Sequence, residues 1–135
     1  MQGIESDFFV GGSLLKCNKF IYQRRVNMSV TNIDSESLLR FTKEGVKVID
    51  VRTDAEVSRG VIPGASHIAL DKLPERYKEL DPAAKVVIYC QVGGRSANAA
   101  QFLASQGFSQ VFNLQGGINA WVASGHETGN LLLTQ

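Results

Sequence analysis

Val86-Val87-Ile88-Tyr89-Cys90-Gln91-Val92-Gly93-Gly94-Arg95-Ser96-Ala97 carries the strand, the cysteine and the loop that decide the fold of this chain. Val86 to Tyr89 is a short apolar, β-rich run of the kind a fully buried parallel strand uses. Lys85 bounds it on one side and Gly93-Gly94 end it on the other. From Ser96 to Gln106, the residues Ala99, Ala100, Phe102 and Leu103 recur at helical spacing, and Gly107 follows as a stop. A cysteine at the C-terminal end of a parallel strand lies where open α/β sheets place their ligands. Loop N–H groups and the positive end of a helix together cradle an anion. That anion is the Cys90 thiolate, an oxyanionic substrate or a persulfide on Cys90. The same field lowers a cysteine pKa from about 8.5 toward neutrality. Glycine at 93 and 94 leaves room for a close backbone ring and permits positive φ. Arg95 adds a fixed charge at the far end of the loop. The plainer alternative is an inert cysteine that ends a core strand. It gives no reason for two glycines and an arginine directly afterwards.

Working outward, Val46 to Val51 reads as a second strand, and its end delivers Asp50 and Arg52 to the rim that holds Cys90 if the two strands are parallel. Asp50 either shapes the pocket or fixes the rim. For Arg52 the expectation is structural, through a neighbour such as Glu56. Before this strand, Asp34 or Ser35 caps a helix whose apolar face includes Leu38, Leu39 and Phe41, ended by Gly45. After it, Thr53 caps a short helix with acids in its first turn. Pro63 and Gly64 build a turn, Ala65 to Leu70 forms a short strand with a structural His67, and Leu73 to Leu80 forms a charged helix that Asp81-Pro82 breaks. Downstream of the cysteine helix, Val111 to Leu114 is another strand. Gly116-Gly117 turns it into a helix over 118–124, with Trp121 packed on the sheet. Leu131 to Leu133 is an apolar run that covers an edge or stays loose. The alternation of short strands and helices predicts an α/β domain with a mainly parallel sheet.

Length and charge narrow the classes. At 135 residues with a formal net charge of +1, the chain is one domain's worth of protein, and no global field points to nucleic acid. No run approaches the ~18 apolar residues of a membrane span. Cys17 and Cys90 form neither a disulfide framework nor a metal-type spacing. Thiol chemistry at Cys90 suits a reducing compartment, so a cytoplasmic location is expected. Residues 28–135 are read as a single domain and 1–27 as an extension, flexible or non-native. Lys16, Lys19, Arg24 and Arg25 against two acids in that extension also suit a targeting segment. Cys17 is either incidental or a resolving thiol for Cys90.

Cys90-Gln91-Val92-Gly93-Gly94-Arg95-Ser96 resembles the active-site loop of rhodanese-like sulfurtransferases, C-x-x-G-x-R-S. Ile49-Asp50-Val51-Arg52 is similar to the family's D-V-R strand end. Glu56 with Gly60-Val61-Ile62-Pro63-Gly64-Ala65 is similar to its E-x-x-x-G-H-I-P-G-A segment, with Val61 where the family usually has histidine. Leu114-Gln115-Gly116-Gly117-Ile118 and Trp121 are similar to its L-x-G-G-x-x-x-W. These motifs stand in the expected order over about 30–125 and are specific together. The resemblance implies about five strands with helices on both faces.

It also implies a chemistry. Cys90 is the expected catalytic nucleophile, taking a sulfane sulfur from a donor such as thiosulfate and passing it to cyanide, a thiol or a protein cysteine. Gln91, Val92, Gly93, Gly94, Arg95 and Ser96 are the expected persulfide-binding loop, with Asp50 and Arg52 at the rim. Arg95 either attracts anionic donors or ties the loop to the scaffold. No metal or organic cofactor is implied. The expected partners are a small-molecule donor and acceptor, and a sulfur-relay protein stays open. Better-known thiosulfate users often carry basic residues where this chain has Gln91 and Val92, which favours a persulfide donor over thiosulfate. Two rivals remain. A phosphatase or arsenate reductase uses the same thiolate logic, but with five residues between cysteine and arginine rather than the four between Cys90 and Arg95. A non-enzymatic interaction module usually lacks the cysteine that this chain keeps.

Overall fold

The computed structural model describes residues 30–131, so the expectations for residues 1–27, for Cys17 and for Leu132-Leu133 lie outside the described residues. Five strands form one sheet: β1 (Val30–Ile33), β2 (Lys47–Asp50), β3 (Ser66–His67), β4 (Val86–Tyr89) and β5 (Val111–Leu114). Their spatial order is β1-β5-β4-β2-β3, and every pairing is parallel. The helices are α1 (Ser35–Lys43), α2 (Asp54–Val57), α3 (Leu73–Arg76), α4 (Gly94–Ser105) and α5 (Gly117–Ala123).

Strand β4 lies at the centre of the sheet and is buried along its whole length. Its pleat sends Val86 and Ile88 to one face, where they meet Ile49, Ala99, Ala100 and Leu103 of β2 and α4. Val87 and Tyr89 go to the other face with Val48, Leu38, Ile118 and Trp121, which belong to β2, α1 and α5. Both faces are covered, so the strand reads as a continuous apolar run rather than an alternating one. The expected mainly parallel five-stranded sheet with helices on both faces is what the chain builds.

Local signals explain most boundaries. Asp34 caps α1 by accepting from the Ser37 N–H at 2.9 Å. Thr53 and Glu56 form a reciprocal capping box around the start of α2.

Four expectations need correction. The short strand over 65–70 shrinks to Ser66–His67, because Leu70 already belongs to a 3₁₀ turn. The helix over 73–80 splits into one α-turn, Leu73–Arg76, and a 3₁₀ turn, Tyr77–Glu79. Pro74 sits near its start, where the ring fits the first turn but offers no N–H. The cysteine helix starts at Gly94 rather than Ser96. Strand β1 was not expected as a strand. Among the described residues it is an edge strand, four residues long with a mixed burial pattern and paired to β5 alone, and it carries too little periodicity to read.

Candidate active site

Cys90 follows β4 directly and is 1 % exposed. Gly93 adopts φ +112°, a left-handed value open to glycine, and this bends the chain back over the sulfur before α4 begins. The Gly93 N–H donates to Cys90 Sγ at 3.1 Å and the Ser96 N–H donates at 3.4 Å. Ser96 is the third residue of α4, so the sulfur caps the positive end of a twelve-residue helix. Burial alone pushes the Cys90 thiol up. Hydrogen bonding by Ser96 and by the Gly93 and Val92 N–H groups outweighs it, and the thiol is held below its ordinary value. An apolar core cysteine would show the opposite direction.

A second helix grips the same residue from behind. The Ile118 N–H donates to the Cys90 carbonyl at 2.9 Å and the Asn119 N–H to the Gln91 carbonyl at 3.1 Å. Gly116 and Gly117, with φ +81° and +61°, turn β5 into α5 so that these donors face the loop. A Cβ at Gly117 would overlap the Cys90 and Gln91 carbonyl oxygens. The Gly-Gly of the third motif is therefore part of the cysteine site.

Two arginine–carboxylate pairs flank the loop. Arg52 bonds both oxygens of Asp50, with Nη2 to Oδ2 at 2.8 Å, and also donates to the Gly60 carbonyl at 2.7 Å and to Gln91 Oε1 at 3.1 Å. Asp50 is fully buried and Arg52 is 3 % exposed. Asp50 thus lies beneath the pocket rim rather than on it, and it, not Glu56, is the partner of Arg52. Glu56 pairs instead with Arg95, fork to fork at 2.8 Å on each side. The Arg95 guanidinium holds the Glu56 carboxyl down at about 2. Of the two roles weighed for Arg95, the geometry shows the tie to the scaffold. It also leaves Arg95 without the free fork that a phosphate-binding loop requires.

The remaining site residues fall into place around this frame. The Gln91 side chain is held between Arg52 and Asn119, so it braces the loop rather than facing a ligand. Val92 is 64 % exposed at the loop tip. His67 Nε2 lies 2.7 Å from the Arg52 carbonyl and ties β3 to the end of β2, a structural position as expected. Val61 is buried and pairs with Gly129, each donating to the other at 2.8 Å. A cleft of about 630 Å3 opens beside Arg95, with Val51, Leu70 and Lys72 in its wall. A smaller one, about 260 Å3, lies on the other side of the loop between Gln91, Asn119 and Val122.

Asn113 escaped the sequence reading. It is buried on β5, and its Oδ1 accepts from the Ser96 hydroxyl at 2.6 Å. The signal was available: a lone amide within Val111-Phe112-Asn113-Leu114 is a buried polar group that must find partners.

Comparison with known proteins agrees with this geometry. The model of the rhodanese-like domain matches residues 35–124. A sulfurtransferase of Allochromatium vinosum is 43 % identical over 98 residues, covering 71 % of this chain and 92 % of that protein. The thiosulfate sulfurtransferase GlpE of Pseudomonas fluorescens is 34 % identical over 89 residues, covering 66 % and 82 %. Among solved structures, the rhodanese-related protein of Thermoplasma volcanium superposes with a TM-score of 0.68 at 30 % identity, covering 73 % of this chain and 97 % of that one. With the motif order, the parallel sheet and the cysteine cradle all in agreement, the chain belongs to the rhodanese-like domain family.

Proposed function

We propose that the protein is a sulfurtransferase that carries a sulfane sulfur on Cys90. The observation that supports this most is the pair of N–H donors from Gly93 and Ser96 on a sulfur at a helix start, with the thiol held below its ordinary value. A thiolate is both the nucleophile for a sulfur–sulfur bond and the better leaving group afterwards.

In the first step the Cys90 thiolate attacks the outer sulfur of the donor. A bond forms between the two sulfurs, the donor's own sulfur bond breaks, and its electron pair leaves with sulfite when the donor is thiosulfate. The product is a Cys90 persulfide anion. In the second step an acceptor nucleophile attacks the outer sulfur, and the electron pair returns to Cys90 as thiolate. Cyanide gives thiocyanate in the assay, and a thiol gives a new persulfide. Neither step needs a metal or an organic cofactor. The N–H groups that hold the thiolate are suited to hold the persulfide anion as well.

Charge bears on the donor class. Arg95 shares its charge between Glu56 and Cys90, Gln91 is held by Arg52 and Asn119, and Val92 is neutral, while Lys72 stands in the cleft wall beside Arg95. The neutral Gln91 and Val92 at the loop favour a hydropersulfide or a persulfide-bearing protein as donor over dianionic thiosulfate. The test is a sulfurtransferase assay with thiosulfate, alkyl hydropersulfide and mercaptopyruvate as donors and cyanide as acceptor. Intact mass is recorded before and after cyanide. We expect a one-sulfur mass gain that cyanide removes, absent in Cys90→Ser, and a larger kcat/KM with hydropersulfide than with thiosulfate. No mass gain and no turnover with any donor would overturn the proposal.

A further inference from the structure

We infer that Asn113 is a positioning residue that sets the acidity of Cys90 from the neighbouring strand. The inference rests on the use of Cys90 as a thiolate and names the group that steadies it.

Asn113 is directed to the α4 side of the sheet by the pleat of β5, opposite to Phe112 and Leu114, which pack with the other face. It is 5 % exposed, and Ser96 is fully buried. The Asn113 Oδ1 accepts from the Ser96 hydroxyl at 2.6 Å. Its Nδ2 lies 3.1 Å from Asn32 Oδ1 and 3.5 Å from the Gly93 carbonyl. One amide therefore touches two of the three residues whose N–H groups act on the Cys90 sulfur. It touches Ser96 through the side chain and Gly93 through the peptide oxygen.

Counting protons orders this network. Ser96 has one hydroxyl proton and three acceptors to share it among: Asn113 Oδ1 at 2.6 Å, the Gly93 carbonyl at 3.2 Å and the Cys90 sulfur. The short contact to Asn113 holds the hydroxyl in place, and the backbone N–H groups of Gly93 and Ser96 point at the sulfur. With Oδ1 committed to Ser96, Nδ2 must face acceptors, and the two oxygens nearest to it are both acceptors. Asn32, its cross-strand partner in the β1·β5 register, closes the chain at the sheet edge. The amide is thus satisfied on both ends in one orientation. That orientation holds the first turn of α4 at a fixed distance from the sulfur. Nothing in the cysteine motif supplies this support, because Arg95 anchors the outer side of the loop and α5 anchors its carbonyls.

The test measures Cys90 acidity without any sulfur donor. The full chain carries Cys17→Ser so that Cys90 alone reports, and iodoacetamide alkylation rates are followed by intact mass from pH 5 to pH 10. Circular dichroism and thermal melts run on every variant. Asn113→Leu, which keeps the volume and removes both polar ends, is expected to raise the apparent Cys90 pKa by about one unit. That slows alkylation near neutral pH up to about tenfold. Asn113→Asp keeps the acceptor for Ser96 but adds a negative charge behind the loop, and is expected to raise it further. Asn32→Ala, at an exposed edge position, removes a single partner and is expected to give a smaller rise in the same direction. A folded Asn113→Leu or Asn113→Asp with the pKa of the Cys17→Ser parent would overturn the inference. If neither folds, Asn32→Ala decides it by the presence or absence of its shift. Unchanged acidity in the variants counts against this inference alone, because the alkylation readout involves no sulfur transfer, whereas absence of sulfur transfer in the wild type counts against the proposed function.

Discussion

Helices α4 and α5 both start on a left-handed glycine, and both aim their first N–H groups at Cys90, but at different atoms. The donors of α4 meet the sulfur, whereas those of α5 meet the Cys90 and Gln91 carbonyls. The first set acts on the reacting atom. The second holds the backbone that presents it. The glycines differ accordingly. A Cβ at Gly93 would find only ordinary contacts, 3.4 Å to Gly116 N and 3.6 Å to the Leu114 carbonyl, whereas one at Gly117 would run into peptide oxygens. One helix start is therefore tunable in chemistry at modest structural cost, and the other is fixed by packing.

Breaking the α5 side should give the largest effect. Gly117→Ala forces both a clash and a left-handed alanine, and we expect a loss of roughly 4 kcal/mol, seen as a melting-temperature drop of about 15 °C or more. Gly93→Ala sharpens the contrast. Its cost should be about 1–3 kcal/mol from the strained backbone alone. Its larger consequence should be a raised Cys90 pKa, read from the pH profile of alkylation, as the 3.1 Å donor moves off the sulfur. A Gly93→Ala variant that loses more stability than Gly117→Ala would reverse the comparison.

Glu56→Gln tests the outer anchor of α4 through pH. The folded Glu56 carboxyl is held at about 2, well below its ordinary 4.5. A depressed carboxylate adds stability above its unfolded pKa and loses it as pH falls through the folded one. The wild type should therefore be the more stable protein above about pH 4.5, by under about 1 kcal/mol because the pair is partly exposed, and the two stabilities should converge toward pH 2. Denaturant titrations at several pH values between 2 and 7 check this. Val92→Ser, at the exposed loop tip, should change stability by less than about 0.5 kcal/mol and leave the Cys90 pKa where it is.

The parts legible in the sequence were those whose cause is local. Val86–Tyr89 and Val111–Leu114 were read to the residue, because a strand covered on both faces is a mostly apolar run, interrupted in the second only by Asn113. The Thr53 cap, the turn at Pro63-Gly64 and the stops at Gly45 and Gly107 follow from one residue's backbone preference. What stayed hidden depends on residues far apart in sequence. Glu56 and Arg95 are 39 positions apart, and no pattern along the chain reveals that each completes the other. The same distance separates Arg52 from Gln91, so the bracing role of Gln91 could not be read from the loop. The Asp50–Arg52 pair is close in sequence, but its meaning depends on burial: Asp50 lies beneath the rim, while the Arg52 it holds lines the clefts beside the loop. The cysteine, its two glycines and the helix behind them were visible as a unit because they are contiguous.

The sheet order carries a consequence for how the reactive thiol comes into being. Asn32 and Asn113, partners across β1 and β5, are 81 residues apart, and the central strand β4 gains its β5 neighbour from sequence that follows it. Such pairings must close long loops before any contact rewards them, so they form late and slowly. The α5 donors on the Cys90 carbonyl come later still in the chain. The donors on the sulfur itself, from Gly93 and Ser96, lie only three and six residues beyond Cys90, whereas their bracing by Asn113 and by α5 waits for sequence that follows α4. The cradle is drawn from the loop next to the cysteine, and its fixed geometry is completed by the C-terminal part of the sheet.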